Sequence, residues 1–239
     1  HPHTRELCAE SLNRSSRHTY AKTHLARPAR MRFLAPMQEL IEGYRRYRAR
    51  RWPELQGLHR ELAERGQSPK TLVIACSDSR VDPATIFDVG PGELFVIRNV
   101  ANLAPPCEDS KVGHHGTSAA IEFAVTRLKV ETILVLGHAQ CGGVAHALQT
   151  SDRNTGSFLD AWVHLLDKAI TRLDARESDP QTALEHESIR VTLENLLTFP
   201  FVNDAVSTGA LKLVGARYGV ADGVLELLDP NTGAFAPAI

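Results

Sequence analysis

"TLVIACSDSR", residues 71–80, runs an almost unbroken apolar stretch straight into a cysteine, an aspartate and an arginine on alternate positions. A strand with one wet face alternates apolar and polar residues, whereas a strand covered on both faces does not, so "TLVIA" reads as an interior strand of a parallel sheet. A second run of the same kind, "TILVL" at 132–136, leads into Gly137-His138-Ala139-Gln140-Cys141-Gly142-Gly143. Two such strands predict a mostly parallel central sheet flanked by helices, an α/β fold.

The other β-type runs fit that sheet. They are "LFVIR" at 94–98, "LKLVGA" at 211–216 and "VLELL" at 224–228, and the last two are joined by "RYGVADG", short enough for an antiparallel edge hairpin. Helical periodicity fills the gaps. Leu40, Ile41, Tyr44 and Tyr47 mark an N-terminal helical arm from 37 to about 65, with Pro53 as a break or a new first turn. Ile121, Ala124, Val125 and Leu128 mark a helix that Thr117 or Ser118 can cap. Two further helices are expected at 157–173, through Phe158, Trp162, Leu165, Leu166 and Ala169, and at 183–198, through Ile189, Leu193, Leu196 and Leu197, with Pro200 stopping the second.

Residues 1–30 carry six Lys or Arg against two Glu and no sustained apolar period, and are expected to be a poorly ordered extension ahead of one α/β domain at 31–239. They lack the apolar core of a secretory signal. Their Arg and Ser content suits an organellar transit peptide or an extension before Met31 equally well.

The bulk composition excludes several function classes. With 239 residues, 43% hydrophobic, 23% charged and a net charge of -1, the chain has the balance of a soluble globular protein, and a cytoplasmic location is expected. No apolar run approaches the roughly 20 residues of a membrane span. No overall basic field recruits nucleic acid or anionic lipid; Arg45, Arg46, Arg48, Arg50 and Arg51 read as the solvated face of a helix. Cys8, Cys76, Cys107 and Cys141 are too few and scattered for a disulfide framework, and no Cys-x-x-Cys pair is present. The chemical use left for buried thiols is metal binding.

Ligands of open α/β sheets gather beyond the carboxyl ends of the strands. If the strands at 71–75 and 132–136 are parallel neighbours, Cys76, His138 and Cys141 meet there. Two thiolates and an imidazole favour zinc, and three protein ligands leave a fourth tetrahedral position open, as in catalytic sites. The glycines 137, 142 and 143 let the chain bend about a metal. His-x-x-Cys alone is weak, and so is a lone buried cysteine; the two segments together at two strand ends carry the inference.

"CSDSRVDPATIFDVGPGELFVIRNVAN" with "HHGTSAAIEFAVTRLKVETILVLGHAQCGG" is similar to the β-class carbonic anhydrases of bacterial type, and "GALKLVGARYGVADGVLELLDPNTGAF" resembles that family's carboxyl-terminal hairpin. The resemblance runs from about residue 36 to 236. It implies zinc-dependent, reversible hydration of CO2 to bicarbonate, with one Zn2+ per chain on Cys76, His138 and Cys141. A zinc-bound hydroxide would attack CO2, assisted by an Asp78–Arg80 dyad, and Asp78 would be a fourth ligand only in a closed form. Gln67 would hydrogen-bond substrate; Phe95, Val100, Phe123 and Gly142 would line its pocket. A homodimer or dimer-based tetramer is implied, some of these residues coming from a partner subunit.

Three positions depart from the pattern. Ala139 stands where many relatives carry Ser, and Phe123 where plant members carry Tyr. Some bacterial members have an inhibitory bicarbonate site built from a Trp, an Arg and a Tyr; Arg98 and Tyr218 match, but position 73 is Val, which predicts weak or absent inhibition of this type.

Other chemistry-bearing residues have blander readings. His114, His115 and Cys107 lie in a Pro- and Gly-rich loop without ligand spacing, and His146 reads as a helix-surface residue. Asp88 and Glu93 flank a turn, and Trp162 reads as core. Two rival functions use the same residues: a structural zinc site permanently closed by Asp78, and turnover of carbonyl sulfide or carbon disulfide.

Overall fold

The computed structural model describes residues 36–111, 113–150 and 156–239, so the extension expected at 1–30 lies outside the described residues. The chain divides into two compact units, His1–Gln56 and Gly57–Ile239. In the first, α1 (Pro36–Arg50) is followed by the start of α2 (Trp52–Arg65), with Pro53 in the new first turn. α1 buries none of its residues, and Met37, Leu40 and Tyr44 expose more than half their surface in one stripe.

The second unit is built on a six-stranded sheet. In chain order it contains β1 (Thr71–Cys76), α3 (Pro83–Ile86), β2 (Leu94–Asn99), a 3-10 turn (Val100–Asn102), α4 (Gly116–Glu122), a π-helical stretch (Phe123–Leu128) and β3 (Thr132–His138). Then come α5 (Gly142–Gln149), α6 (Phe158–Val163), a 3-10 turn (His164–Leu166), α7 (Asp167–Ile170), α8 (Pro180–Leu196), α9 (Pro200–Ser207), β4 (Lys212–Tyr218), β5 (Leu225–Leu228) and β6 (Phe235–Pro237). The sheet order is β2-β1-β3-β4-β5-β6. The first four strands are parallel, and β4, β5 and β6 pair antiparallel.

The two unbroken apolar runs occupy the central positions, and this is why they lack alternation. Leu72, Ile74, Ile133 and Val135 pack on one face against Ile121, Ile189, Leu196 and Val202 from the helices. Val73, Ala75, Leu136 and Ala216 point to the other face with Phe87 and Leu94. That second face is incompletely filled, leaving an apolar cavity of about 300 Å³ between Val73, Phe87, Leu134, Val214 and Leu225. On the first face α8 sits low on the sheet: a Cβ at Gly137 or Gly215 would lie 2.8 or 2.7 Å from Ile189.

The helices differ from the sequence reading in four places. Asp179 caps α8 by accepting the Thr182 N–H, and Pro180 takes the first turn, so the helix starts three residues early. Pro200 does not merely stop α8 but opens α9, since a proline lacking N–H is at home in a first turn. The helix expected over 157–173 is broken at His164–Leu166, and α4 begins at Gly116 without a side-chain cap from Thr117 or Ser118. No helix among the described residues is long and apolar enough to cross a membrane.

Candidate metal centre

Parallel pairing aligns Ala75 with Leu136, so the chain leaves β1 at Cys76 and β3 at His138 on the same edge of the sheet. Gln140 then takes a left-handed backbone, φ 56°, which turns Cys141 back towards the strand ends. For a residue with a Cβ this costs about 1–2 kcal/mol. The outcome is a buried cluster in which a donor atom from each of Cys76, His138 and Cys141 lies within 4.8 Å of the others, and the two sulfurs are 3.9 Å apart. Among the described residues it is the one His/Cys/Asp/Glu grouping able to hold a metal ion.

The donors fit a cation. His138 Nδ1 lies 2.9 Å from the Ala139 carbonyl, a hydrogen bond that places the ring proton there and leaves the Nε2 lone pair facing the thiols. Nε2 is buried and has no hydrogen-bond partner of ordinary geometry. Cys76 is drawn down to about 4, first by its contact with Cys141 against the opposing effect of burial, then by His138 and by the backbone N–H groups of Asp78 and Ala101. The shared contact pushes Cys141 above the usual thiol range, with burial adding to it, because two thiols this close cannot both ionise alone. His138 is raised although burial, its largest influence, opposes this; the Cys76 thiolate beside it prevails. Two sulfurs 3.9 Å apart beside a buried, unpartnered imidazole nitrogen form a donor set that suits a divalent ion.

Asp78 and Arg80 follow in the loop leaving β1. Arg80 Nε and Nη2 reach Asp78 Oδ1 and Oδ2 at 2.9 and 2.8 Å, and the Arg80 backbone N–H reaches Oδ1 at 2.9 Å. This bidentate pair holds the Asp78 carboxyl at about 2, below its ordinary 3.8, with the Arg80 side-chain bond as the main cause. Because the folded value is depressed, the pair's contribution to stability is complete above about pH 4 and fades as pH falls towards 2. Both carboxylate oxygens are engaged by Arg80, and Asp78 is not among the clustered metal-type donors. Arg98, from the end of β2, steadies the same loop by donating to the carbonyls of Cys76, Asp78 and Val81.

Gly142 and Gly143 follow Cys141 at the start of α5, and Gly143 packs closely against the turn at Val100 and Ala101. A Cβ at Gly143 would lie 2.5 Å from Val100 Cγ1 and 3.1 Å from Ala101 Cβ, whereas one at Gly142 would meet open space. Gly143→Ala should therefore lower stability by about 1–3 kcal/mol, and Gly142→Ala should stay within about 0.5 kcal/mol of the parent. Thermal unfolding of the two variants checks this, and equal melting temperatures would contradict it. Trp162 holds the same turn, its Nε1 donating to the Val100 carbonyl at 2.8 Å.

Other expected residues lie apart from the cluster within one chain. Gln67 is exposed and precedes the amino end of β1, so the whole strand, roughly 17 Å, separates it from Cys76. Phe95 is level with Leu72, about 13 Å back along the strand from the level of Cys76. It stacks on Phe123 with ring centroids 5.8 Å apart, and Phe123 is 46% exposed. His146 is not a plain surface residue: it is half-buried, with Nε2 2.6 Å from Asp160 Oδ1. His115 pairs with Glu108 and His114 is exposed; Glu93 accepts the Gly90 N–H in its turn.

Several contributors had no sequence signature. Ala101 and Asn102 both adopt left-handed backbone, φ 63° and 52°, in the turn that brings the Ala101 N–H to the Cys76 sulfur. Glu185 and Gln181 on α8 hold the backbone of Cys141. A charged residue at 185 beside the buried stripe of Leu184 and Ile189 was the available clue.

Comparison with known proteins adds three observations. A family model described as carbonic anhydrase matches residues 71–225. Beta carbonic anhydrase 3 of Arabidopsis thaliana is 34% identical over 214 residues, covering 85% of this chain and 82% of that protein. Among solved structures, the β-carbonic anhydrase CcaA superposes with a TM-score of 0.74 at 31% identity, covering 85% of this chain and 92% of that one. A tetrameric β-carbonic anhydrase of Sordaria macrospora gives 0.69 at 27% identity over 84% and 98%.

Proposed function

The chain belongs to the β-class carbonic anhydrases, and from that membership we propose that it is a cytoplasmic zinc enzyme interconverting CO2 and bicarbonate, with Asp78 and Arg80 as its catalytic dyad. The observation that carries the reading is the pairing of a three-donor cluster with a carboxylate fully occupied by its neighbouring guanidinium. Cys76, His138 and Cys141 would hold zinc as a Lewis acid, and two thiolates with a neutral imidazole would leave it without net charge, so that it would acidify water less than the tris-histidine sites that reach a pKa of about 7.

The chain's own residues do the rest. Asp78 remains ionised throughout the neutral range and offers an oxygen to accept a hydrogen bond from the nucleophile. Arg80 fixes that oxygen's direction, so the nucleophile is oriented before CO2 arrives. Val100 and the bare backbone at Gly142 leave space for a small linear molecule against an apolar wall. A methyl at Gly142 should therefore reduce hydration while leaving the fold intact. The rival reading with Asp78 as a permanent structural ligand is disfavoured by the bidentate grip of Arg80.

Phe95, Phe123 and Gln67 enter this reading through a second copy. Phe95 lies too far back along β2, and Gln67 too far ahead of β1, to serve their own chain's cluster, and Phe123 is stacked on Phe95. A dimer that brings one protomer's Phe95–Phe123 pair and Gln67 to its partner's cluster would complete the pocket. The exposed stripe on α1 and the open sheet cavity are apolar surfaces that a partner can cover.

Stopped-flow CO2 hydration between about pH 6.5 and 9, with zinc measured on the same sample, tests the reading. Activity should climb from neutrality towards pH 8 or 9, because the weakly acidifying ligand set places the controlling ionisation somewhat above about 7. Asp78, at about 2, contributes no step in that range. A flat profile, or no hydration at full zinc occupancy, contradicts it.

Bicarbonate should inhibit little through a second site. Position 73 presents a valine, and Arg98 is already engaged with three backbone carbonyls. Crystals soaked in bicarbonate that showed the anion between Arg98 and Tyr218 would overturn this expectation.

A further inference from the structure

One peptide group in the turn between β3 and α5 is held from both sides. Its carbonyl, that of Gln140, accepts Arg80 Nη2 at 3.0 Å, and its N–H, that of Cys141, donates to Glu185 Oε1 at 3.1 Å. Glu185 is 1% exposed. Its Oε2 accepts Arg217 Nε at 2.9 Å and Nη2 at 2.8 Å. Gln181, one turn earlier on α8, gives its amide to Glu185 Oε1 at 2.7 Å and to the Cys141 carbonyl at 3.1 Å. The held peptide follows the left-handed Gln140, a conformation that persists only where its surroundings over-determine it.

We propose that Glu185 is a positioning residue of the metal centre: it sets the plane of the 140–141 peptide, and with it both the aim of the Cys141 sulfur and the carbonyl that anchors Arg80. The proposal rests on the reading that Cys76, His138 and Cys141 hold zinc. Four donors converge on Glu185, namely the Cys141 N–H, Gln181 Nε2, and Nε and Nη2 of Arg217. A carboxylate, being acceptor-only, satisfies all of them, and no other side chain of that size does. Stability alone is a weak reason for the arrangement, since a buried ion pair is often no better than apolar packing of the same volume.

Glu185→Gln separates positioning from bulk. The substitution keeps the shape but must turn an NH2 towards one of the donors. Arg217, the charged donor, retains the remaining oxygen, so the amide opposes the Cys141 N–H and loosens the turn. Glu226→Gln is the control: Glu226 accepts Arg217 Nη1 at 2.9 Å but stands one strand further from the centre. The measurements are zinc Kd by competition with a chelator and the thiolate-to-metal absorption of the cobalt-substituted protein.

Glu185→Gln should weaken zinc binding by roughly 10- to 100-fold and alter the cobalt spectrum, while Glu226→Gln leaves both unchanged. If Glu185→Gln does not fold, Gln181→Met decides, because it removes the grip on the Cys141 carbonyl and keeps the Glu185–Arg217 pair; it should shift both readouts in the same direction, by less. Unchanged Kd and spectrum in Glu185→Gln, or in Gln181→Met where that variant decides, would overturn the proposal. So would an equal change in Glu226→Gln, which would make the network general scaffolding. A parent protein that binds no zinc would instead bring down the metal reading, and this proposal with it.

Discussion

Replacing Arg80 with alanine should leave zinc bound and lower CO2 hydration by roughly a hundred- to a thousandfold, the scale on which one preorganised polar group acts on a rate. The guanidinium supplies two of the three donors that hold Asp78; the third, the residue's own N–H, survives the substitution. That single bond no longer fixes both oxygens, so the carboxylate is free to turn towards the cluster two residues away and take the position that water needs. Lysine should rescue little, because an ammonium cannot present two coplanar donors. Zinc content and cobalt absorption on the same variants separate the outcomes: bound metal with an added carboxylate ligand and a depressed rate supports the dyad. Near-native turnover in Arg80→Ala would remove the dyad from the mechanism and leave the metal assignment standing.

Cys76→Ala should abolish both metal binding and hydration. The thiol is one of three donors in a buried site, and the remaining pair cannot enclose an ion. A bound metal stabilises the fold by mass action, about 3–4 kcal/mol when free metal stands at roughly 100 to 1,000 times Kd. Its loss should therefore lower the melting temperature by roughly 10 °C. Cys107→Ala is the matched control, since Cys107 is exposed and lies outside the cluster. Full zinc occupancy in Cys76→Ala would refute the ligand set.

The sheet and the Cys76–His138–Cys141 cluster were legible in the sequence because both depend on short-range pattern. Unbroken apolar runs marked β1 and β3 as interior strands, and once those strands are parallel neighbours the residues that follow them must meet. β6 was missed because three residues carry no period; it exists through its pairing with Leu228 and its neighbours on β5. Pro200 was read as a stop because proline ends one helix as readily as it begins the next. The hold on the ligand loop was illegible for a deeper reason. Glu185, Gln181 and Arg217 meet Cys141 only after α8 has settled on β3 and β4 through Ile189, and no spacing encodes that encounter. The expected pocket residues tell a similar story: Phe95 and Phe123 find each other within the chain, but the distance of Phe95 from Cys76 is visible only in the register of β1 against β2.

Returning zinc stepwise to metal-stripped protein, while following CO2 hydration by stopped flow, tests the central claim most directly. Hydration should rise in proportion to zinc bound and reach its plateau at about one equivalent per chain, the capacity of a three-donor site with one open position. Zinc that fills the site without producing hydration, or hydration already complete in the stripped protein, would contradict the account.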